Sequence, residues 1–517
     1  MSTRTTYLIG AGPGDPDLIT VRGRALLEQA DVVVHDHEVD PRILALARPD
    51  AERIDVGHAG PGALAEEAIS YLVVEKAIEG KRVARLKWGD PFIFDRGGEE
   101  ALFLRQQGVD LEVVPGVPIA FAASAFAGIP VTYPGAGDTL TIIRGQDDTG
   151  TTMPDVDWKA VAGLNGTVIS CASAHQLPRM LQALVTHGCP PDMPAAIVRN
   201  GTLPSQTTEV STVGALASTL ADALGGQTRR DGGLLIVGRV VRFREHLRWF
   251  DARPLFGRSV LVTRPKDQAA EFSARLTALG ARVIELPLIE IRPALDHGAL
   301  ELAAASSGQY DWVVFTSVNA VDAFMRALAA LSQDARALGG VRLCAVGPAT
   351  AARLAAYHLL AALVPEEFHA EGAFAALEAQ GPLAGRKVLL PRGDLGRDVL
   401  AETLRQAGAA VTEVTAYRTV PREALRDDEP DVYRMLLDGT LDCVTFTSGS
   451  AVRTFVKLFG EDASADLLRR TVVGSIGPAT TDVASLLGIA VAIQPAQHTT
   501  PALADAIAAH FGPAVRT

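Results

Sequence analysis

At 517 residues the chain is several times a typical domain, and with 48% apolar residues and a mean hydropathy of +0.18 it can fill three or four separate cores. A net charge of −12 argues against nucleic acid or an anionic membrane as partner, while leaving room for a local basic pocket. No apolar run nears the roughly 20 residues of a membrane span and the opening MSTRTTYLIGAG has no signal-peptide core, so the expected location is cytoplasmic.

Thr6-Tyr7-Leu8-Ile9 is a β-type run entering Gly10-Ala11-Gly12-Pro13-Gly14-Asp15, and a helical pattern follows from about Thr20 to Gln29. The third glycine comes one place too early for a dinucleotide fingerprint, so a nicotinamide reading fits poorly. Closely spaced glycines do let a ligand approach backbone N–H groups; a tight turn with no ligand is the bland alternative. Asp31 to His35 is the next buried-strand candidate, and it delivers Asp36 and His37 just past its end, where ligands of open parallel sheets sit. An aspartate there is also a common helix cap. After a helical stretch, Glu66 to Glu79, a third strand (Arg82 to Leu86) runs into Lys87-Trp88-Gly89-Asp90-Pro91-Phe92-Ile93 and on to Arg96-Gly97-Gly98-Glu99-Glu100. Leu111 to Pro115 then leads through Gly116-Val117-Pro118-Ile119 into a small-residue helix. The cysteines (Cys171, Cys189, Cys344, Cys443) lack metal-ligand or disulfide spacing and read as reduced structural thiols.

Taken in order, GAGPGDPDLIT, ADVVVHD, LKWGDPFIFDRGGEEA, VVPGV, AGIPVT, NGT at 200 to 202 and LLIVGRVVRFREHLRWF resemble the tetrapyrrole methylase family, most closely the uroporphyrinogen-III C-methyltransferases. The resemblance covers about Thr6 to Phe250. It implies a two-domain α/β module, forming a homodimer, that holds S-adenosylmethionine and methylates uroporphyrinogen III twice to give precorrin-2. Carried over residue by residue, the cofactor contacts are Gly12, Pro13, Gly14, Trp88, Gly89, Asp90, Ile93, Pro118, Ile119, Ala172 and Gly201. Asp36 is then the acid/base residue, with His37 and His58 next in line. The chain departs from the family pattern at Trp88, where glycine is usual, at His35-Asp36-His37 for Tyr-Asp-Arg, at His58-Ala59 for Lys-Arg, and at Cys171-Ala172-Ser173 for Tyr-Met-Gly.

Leu247 to Gly257 is the junction. Trp249, Phe250 and Phe256 surround Arg253-Pro254, which reads as a packed segment rather than a loose tether, with a boundary near residue 252. Beyond it the sequence repeats at a spacing of about 130 residues: Gly257 to Pro265 against Gly385 to Arg392, Asp311 to Ser317 against Asp442 to Ser448, and Ala345 to Thr350 against Ser475 to Thr480. Each strand ends in Thr, Ser, Arg or Gly just before a helical pattern. This half is therefore two similar parallel α/β lobes whose helix starts offer N–H groups and hydroxyls to carboxylates, with the cleft between lobes as the natural site. The candidate substrate-binding residues are Arg264, Thr316, Ser317, Gly347, Thr350, Arg392, Thr447, Ser448, Gly477 and Thr480; as N-caps alone the Ser and Thr would serve the helices only. Val283 to Arg292 and Val411 to Val420 look strand-like, and paired they would make a hinge.

Through VLVTRP, FTSVNAV, VGPATA, VLLPRG, VTAYRTVP, FTSGSAV and IGPAT, about Gly257 to Ala508 resembles uroporphyrinogen-III synthase. That implies a bilobed enzyme, needing no cofactor, which expels the terminal hydroxyl of hydroxymethylbilane and closes the macrocycle with inversion of ring D. Tyr417 matches the family tyrosine placed to assist loss of the hydroxyl; packing in a strand is the alternative role. The expected division is 1–252, with subdomains 1–115 and 116–252, then 253–517, with lobe one at 257–292 plus 420–510 and lobe two at 293–419. The reading is thus a bifunctional α/β enzyme of tetrapyrrole biosynthesis. Its rivals are a synthase carrying a degenerate methylase used for dimerisation or docking, and a bilobed small-molecule binding protein.

Overall fold

The computed structural model describes residues 5–57, 65–145, 152–224, 232–394, 399–426 and 429–512; His58 and Ala59 lie outside them. The chain divides into two compact units, one running up to Arg258 and taking in Leu276–Arg282 and Phe511, the other holding Ser259–Arg275 and Val283–His510. The division at Arg258 falls after the aromatic junction segment rather than within it. In that segment Phe250 packs edge-on against Phe126 and Phe256 at ring separations of 4.8 and 5.3 Å, and the Trp249 indole donates to the Ala125 carbonyl at 2.9 Å. The Arg253 guanidinium lies over both Trp249 and Phe250.

The first unit holds two sheets. Strands β1 (Thr5–Gly10), β2 (Val32–His35), β3 (Glu52–Asp55), β4 (Val83–Lys87) and β5 (Asp110–Val114) form an all-parallel sheet in the order β3-β2-β4-β1-β5. β2 and β4 are buried along their full length; β2 does so with the apolar run Val32-Val33-Val34, while β4 (Val83-Ala84-Arg85-Leu86-Lys87) takes two cations inside with it. The second sheet takes β6 (Thr139–Arg144), β7 (Gly166–Ala172), β8 (Pro194–Arg199), β9 (Thr207–Thr212) and β10 (Gly233–Val237) in the order β6-β7-β10-β8-β9. Only its β6–β7 pair is parallel; the other pairings are antiparallel. The helix Ile119–Phe126, five of whose eight residues are Ala or Ser, packs its small face on this sheet through Ala120 and Ala123.

In the second unit the repeat becomes two sheets. Strands β11 (Ser259–Val262), β12 (Arg282–Glu285), β13 (Ile289–Pro293), β14 (Trp312–Phe315), β15 (Arg342–Ala345), β16 (Lys387–Gly393), β17 (Ala410–Pro421), β18 (Cys443–Phe446) and β19 (Val472–Ser475) arrange as β12-β11-β18-β19 and β13-β17-β16-β14-β15. Each repeated motif occupies the same place in its own sheet, down to matching bridges of Cys344 to Leu363 and Gly474 to Ile493. The stretch Val283 to Arg292 is not one strand. Pro287 has no N–H to give a ladder, so the chain breaks there and β12 and β13 join different sheets. β13 pairs antiparallel with β17, Ile289 opposite Pro421 and Pro293 opposite Tyr417, so the two suspected hinge stretches do pair. The second sheet is parallel apart from that edge.

Candidate active sites

In the first unit the carboxyl ends of β1, β2, β4 and β5 meet around three glycine loops. Gly12 and Gly89 exchange backbone hydrogen bonds, Gly12 N–H to Gly89 O at 3.1 Å and Gly89 N–H to Gly12 O at 2.9 Å. A methyl group on Gly10 would stand 2.4 Å from the Gly116 nitrogen, so the loops close only because both positions lack a side chain. Asp90 locks the assembly: Oδ1 accepts from Phe92 N–H at 2.9 Å and Oδ2 from Gly116 N–H at 3.0 Å. Beyond Gly89, which sits at φ 71°, a side chain would meet open space. Ile93 is exposed in the same loop, between the exposed Phe92 and Phe94.

Asp36 is fixed from two sides. Its Oδ2 accepts from the Trp88 N–H at 2.9 Å, and its Oδ1 meets Arg85 Nη2 at 2.6 Å. Arg85 is only 2% exposed, and its other contacts are Glu100 at 3.0 and 3.2 Å and the Leu86 carbonyl at 3.3 Å. Lys87, also buried, reaches Glu100 at 2.5 Å and Asp95 at 2.9 Å. Two cations thus face three carboxylates beneath the loops. Burial pushes the Asp95 carboxyl above its ordinary range against the pull of Lys87. His37 is turned to the exposed Asp55 at 2.9 Å, whose hydrogen bond raises the imidazole. Arg85, Lys87 and Glu100 were missed by sequence reasoning because a charged residue inside a strand or helix reads as surface; for Arg85 and Lys87 the signal was their alternation with apolar residues in a strand buried on both faces, while Glu100, in the helix Gly97–Gln106, gave none.

The remaining predicted cofactor residues fall on the second half of the unit. Pro118 precedes the helix Ile119–Phe126, and a methyl group on Gly201 would stand 2.3 Å from Ala123 Cβ and 3.5 Å from Ile119 Cδ1, which brings these positions together. Gly14 adjoins the same turn, since a methyl group there would meet Leu203 at 3.1 Å. Ala172 is buried at the end of β7 in the core under that sheet, and burial holds the neighbouring Cys171 thiol up at about 12. The thiols of Cys344 and Cys443 are likewise pushed to about 12 by burial, and no described residues cluster as metal ligands.

In the second unit Ser317 and Ser448 cap the helices Val318–Ala330 and Gly449–Phe459, each accepting from an N–H three residues on at 3.2 Å. Gly347 and Gly477 occupy the equivalent positions before Pro348–Ala356 and Pro478–Leu486. Thr350 and Thr480, near the starts of these two helices, are each 5% exposed. Thr316 is exposed and Thr447 half-buried at the strand ends. Tyr417 lies in β17 with its hydroxyl 3.1 Å from Ser317 Oγ, and a methyl group on Gly393 would collide with its ring at 2.7 Å, so a glycine seats it. Arg392 is tied to Glu413 at 3.1 Å in a cavity of about 320 Å³ that also includes Arg405 and Glu402. Arg264 has a weak contact with Gln268 at 3.3 Å, its Nε is buried without a hydrogen-bond partner, and burial lowers its guanidinium from the ordinary value. Gln268 in turn donates to Asn319 at 2.7 Å, joining the helix after β11 to the helix after β14. Neither amide was singled out from sequence; single Gln and Asn residues in helices carry no pattern.

Two family profiles match: tetrapyrrole (corrin/porphyrin) methylases over residues 5–217 and uroporphyrinogen-III synthase HemD over residues 270–505. A porphyrin biosynthesis protein HemD from Ruminiclostridium josui is 36% identical over 451 residues, covering 87% of this chain and 88% of that protein. A siroheme synthase from Thiobacillus denitrificans is 42% identical over 250 residues, 47% of this chain and 50% of its own length, so the chain spans about half of that relative. Among solved structures, a uroporphyrin-III C-methyl transferase from Thermus thermophilus complexed with S-adenyl homocysteine shares 34% identity at a TM-score of 0.40, covering 46% of this chain and 99% of its own. No described helix is long and apolar enough to cross a membrane. Matched in both halves by these profiles, and along most of its length by a single relative, the chain belongs to the family that joins a tetrapyrrole methylase to a uroporphyrinogen-III synthase, and it is a bifunctional enzyme of tetrapyrrole biosynthesis.

Proposed function

We propose that the second unit cyclises hydroxymethylbilane to uroporphyrinogen III with inversion of ring D, and that the first unit methylates this product with S-adenosylmethionine toward precorrin-2. The observation that carries the reading is the pairing of the two modules in one chain, because the product of one is the substrate of the other. It acts in the cytoplasm, as a homodimer formed through the methylase unit, on small tetrapyrroles and not on nucleic acid.

The first unit's residues fit the methyl donor. The space over Gly89 admits a ligand against backbone, and a methyl group on Gly14 would stand 3.8 Å from Thr202 Oγ1, which is buried without a partner among the described residues. The residues that would hold the donor are Gly12, Pro13, Gly14, Trp88, Gly89, Asp90, Ile93, Pro118, Ile119, Ala172 and Gly201. When bound, it supplies an electrophilic methyl group to a pyrrole carbon. Asp36 takes the proton that the macrocycle gives up after the carbon–carbon bond forms, and Arg85 with the Trp88 N–H holds the carboxylate in place for it.

In the second unit the Tyr417 hydroxyl, hydrogen-bonded to Ser317, donates to the departing hydroxyl of the bilane, which leaves as water. The helix starts at Ser317, Gly347, Ser448 and Gly477 and the Arg264 guanidinium hold propionate and acetate groups, so that ring D is presented in its inverted sense before the wrong carbon can close. No cofactor enters this step. The test is to incubate the purified chain with hydroxymethylbilane, with and without S-adenosylmethionine. Type III product alone, then its dimethylated derivative on adding the donor, supports both assignments. Type I product overturns the synthase, and type III product that is never methylated favours the scaffold reading of the first unit.

A further inference from the structure

We propose that Asp95 is a positioning residue for methyl transfer, whose carboxylate acts on Asp36 along the buried chain Lys87, Glu100, Arg85 and makes Asp36 the stronger base. This rests on the proposal that the first unit methylates its substrate with Asp36 as the proton acceptor. The chain can be followed link by link. Asp36 Oδ1 meets Arg85 Nη2 at 2.6 Å, Arg85 Nε meets Glu100 Oε2 at 3.0 Å, Glu100 Oε1 meets Lys87 Nζ at 2.5 Å, and Lys87 Nζ meets Asp95 Oδ1 at 2.9 Å. The three inner members are buried, whereas the side chains of Asp36 and Asp95 at the two ends are 17% and 25% exposed. Both ends belong to one loop region: Asp36 accepts from the Trp88 N–H at 2.9 Å, and Asp95 follows Phe92, Ile93 and Phe94 in the loop that Trp88 begins.

Asp95 is the carboxylate that the network does not need for balance. Arg85 and Lys87 are already matched by Asp36 and Glu100, so a third carboxylate leaves one negative charge in excess. An excess charge away from water is costly, and burial accordingly pushes the Asp95 carboxyl above its ordinary range, with the nearby Asp36 carboxylate adding to the rise. Lys87 and the Arg96 N–H, which Asp95 Oδ1 accepts at 2.6 Å, pull the other way and favour its ionised form. An asparagine there would leave both cations paired and lift the cost, so what Asp95 adds is its charge.

The surroundings direct that charge at Asp36. Among the described residues, the charged groups facing the pair are Arg85 and Lys87 from β4 and Glu100 from the helix Gly97–Gln106. The Arg96 guanidinium bonds Glu99, His35 bonds the Asp36 carbonyl at 3.0 Å, and His37 is turned to Asp55. Repulsion between like charges is mutual, so an ionised Asp95 makes Asp36 hold a proton more firmly. The reaction uses that property: each methyl transfer releases one proton from the macrocycle, and Asp36 binds it as the C–H bond breaks and its electron pair stays in the ring.

The test is the pH profile of kcat for methyl transfer by the full chain, in wild type, Asp95→Asn, Asp95→Glu and Asp36→Asn, with S-adenosylhomocysteine affinity and melting temperature measured on each. Asp36 accepts a proton only when ionised, so the rate falls as pH drops through its pKa. Removing a neighbouring negative charge lowers that pKa. Asp95→Asn should therefore move the acid limb to lower pH by about one unit, and the weaker base should slow the plateau by about 3-fold. Asp95→Glu, which keeps the charge at a partly exposed position with room for a longer side chain, should restore both. If the asparagine variant fails to fold, Asp95→Ser makes the same comparison, since it keeps an acceptor for the Arg96 N–H without the charge. An acid limb that stays in place, or that moves to higher pH, in a folded uncharged variant overturns the inference, whatever happens to the plateau. Failure of Asp95→Glu to restore the limb overturns it as well, because the charge would then not be the cause. A wild-type chain that binds S-adenosylhomocysteine but never methylates overturns the methylase reading and this inference together, whereas an active chain whose acid limb ignores position 95 overturns the inference alone.

Discussion

The two units solve the same problem, holding polar groups at the carboxyl edge of a parallel sheet, by opposite means. Under the loops of the first unit lie Arg85, Lys87 and Glu100, buried and tied to one another by short ion pairs, with Asp36 and Asp95 at their rim. In the second unit the equivalent edges carry neutral hydroxyls and helix starts, with Arg264 the least paired of the cations named there. A buried network fixes one carboxylate in one orientation, which suits proton transfer at a defined atom. Caps and helix starts hold anions loosely and from several directions, which suits folding a flexible polycarboxylate.

The largest way to break this contrast is Arg85→Met. Removing one member of a buried ion network leaves Asp36 and Glu100 facing an apolar side chain, and about 3–5 kcal/mol of stability should be lost, read from denaturant or thermal unfolding. Ser448→Ala, which removes only a cap, should cost about 1 kcal/mol in the same measurement. Equal losses would mean the network adds no more than a cap does. Asp36→Asn comes next: methyl transfer should fall by about 100-fold while S-adenosylhomocysteine binding is kept, because the amide still accepts from Trp88 N–H but cannot take a proton. Unchanged turnover would move the base elsewhere, with His37 the nearest candidate among the described residues.

Tyr417→Phe sharpens the comparison from the other side. The ring stays seated against Gly393, and only the hydroxyl shared with Ser317 is lost. Since the bilane's hydroxyl leaves readily with little acid help, cyclisation should slow by about 10-fold or less, with the type III isomer still dominant. A switch to type I product would show that Tyr417 also orients the chain.

How far the sequence spoke for itself differs between the units for a physical reason. Glycine loops and a repeat are written locally, so Gly12, Gly89 and Gly116, the helix starts at Ser317 and Ser448, and the pairing of Ile289 to Pro293 with β17 could all be expected from spacing and composition. The ion network could not, because Asp36, Arg85 and Glu100 are brought together only when three segments pack. Pro287 did announce the break between β12 and β13, although a run of apolar residues around it reads as one strand.

Trp88 offers the smallest and most local test. Glycine is usual at this position, and here the chain carries an indole between Lys87, which is buried in the ion network, and Gly89, which stays left-handed and paired with Gly12. The loop backbone is therefore kept by its neighbours, and its hydrogen bond to Asp36 comes from the Trp88 N–H, which any residue would supply. Replacing the side chain changes the wall of the pocket and little else. The indole is only partly buried, and a flat ligand that stacks on it would lose that contact, so Trp88→Gly should weaken S-adenosylhomocysteine binding by about 1 kcal/mol. Tighter binding by the glycine variant would mean that the indole fills the donor's volume, and the first unit would then be a methylase fold closed to its own cofactor.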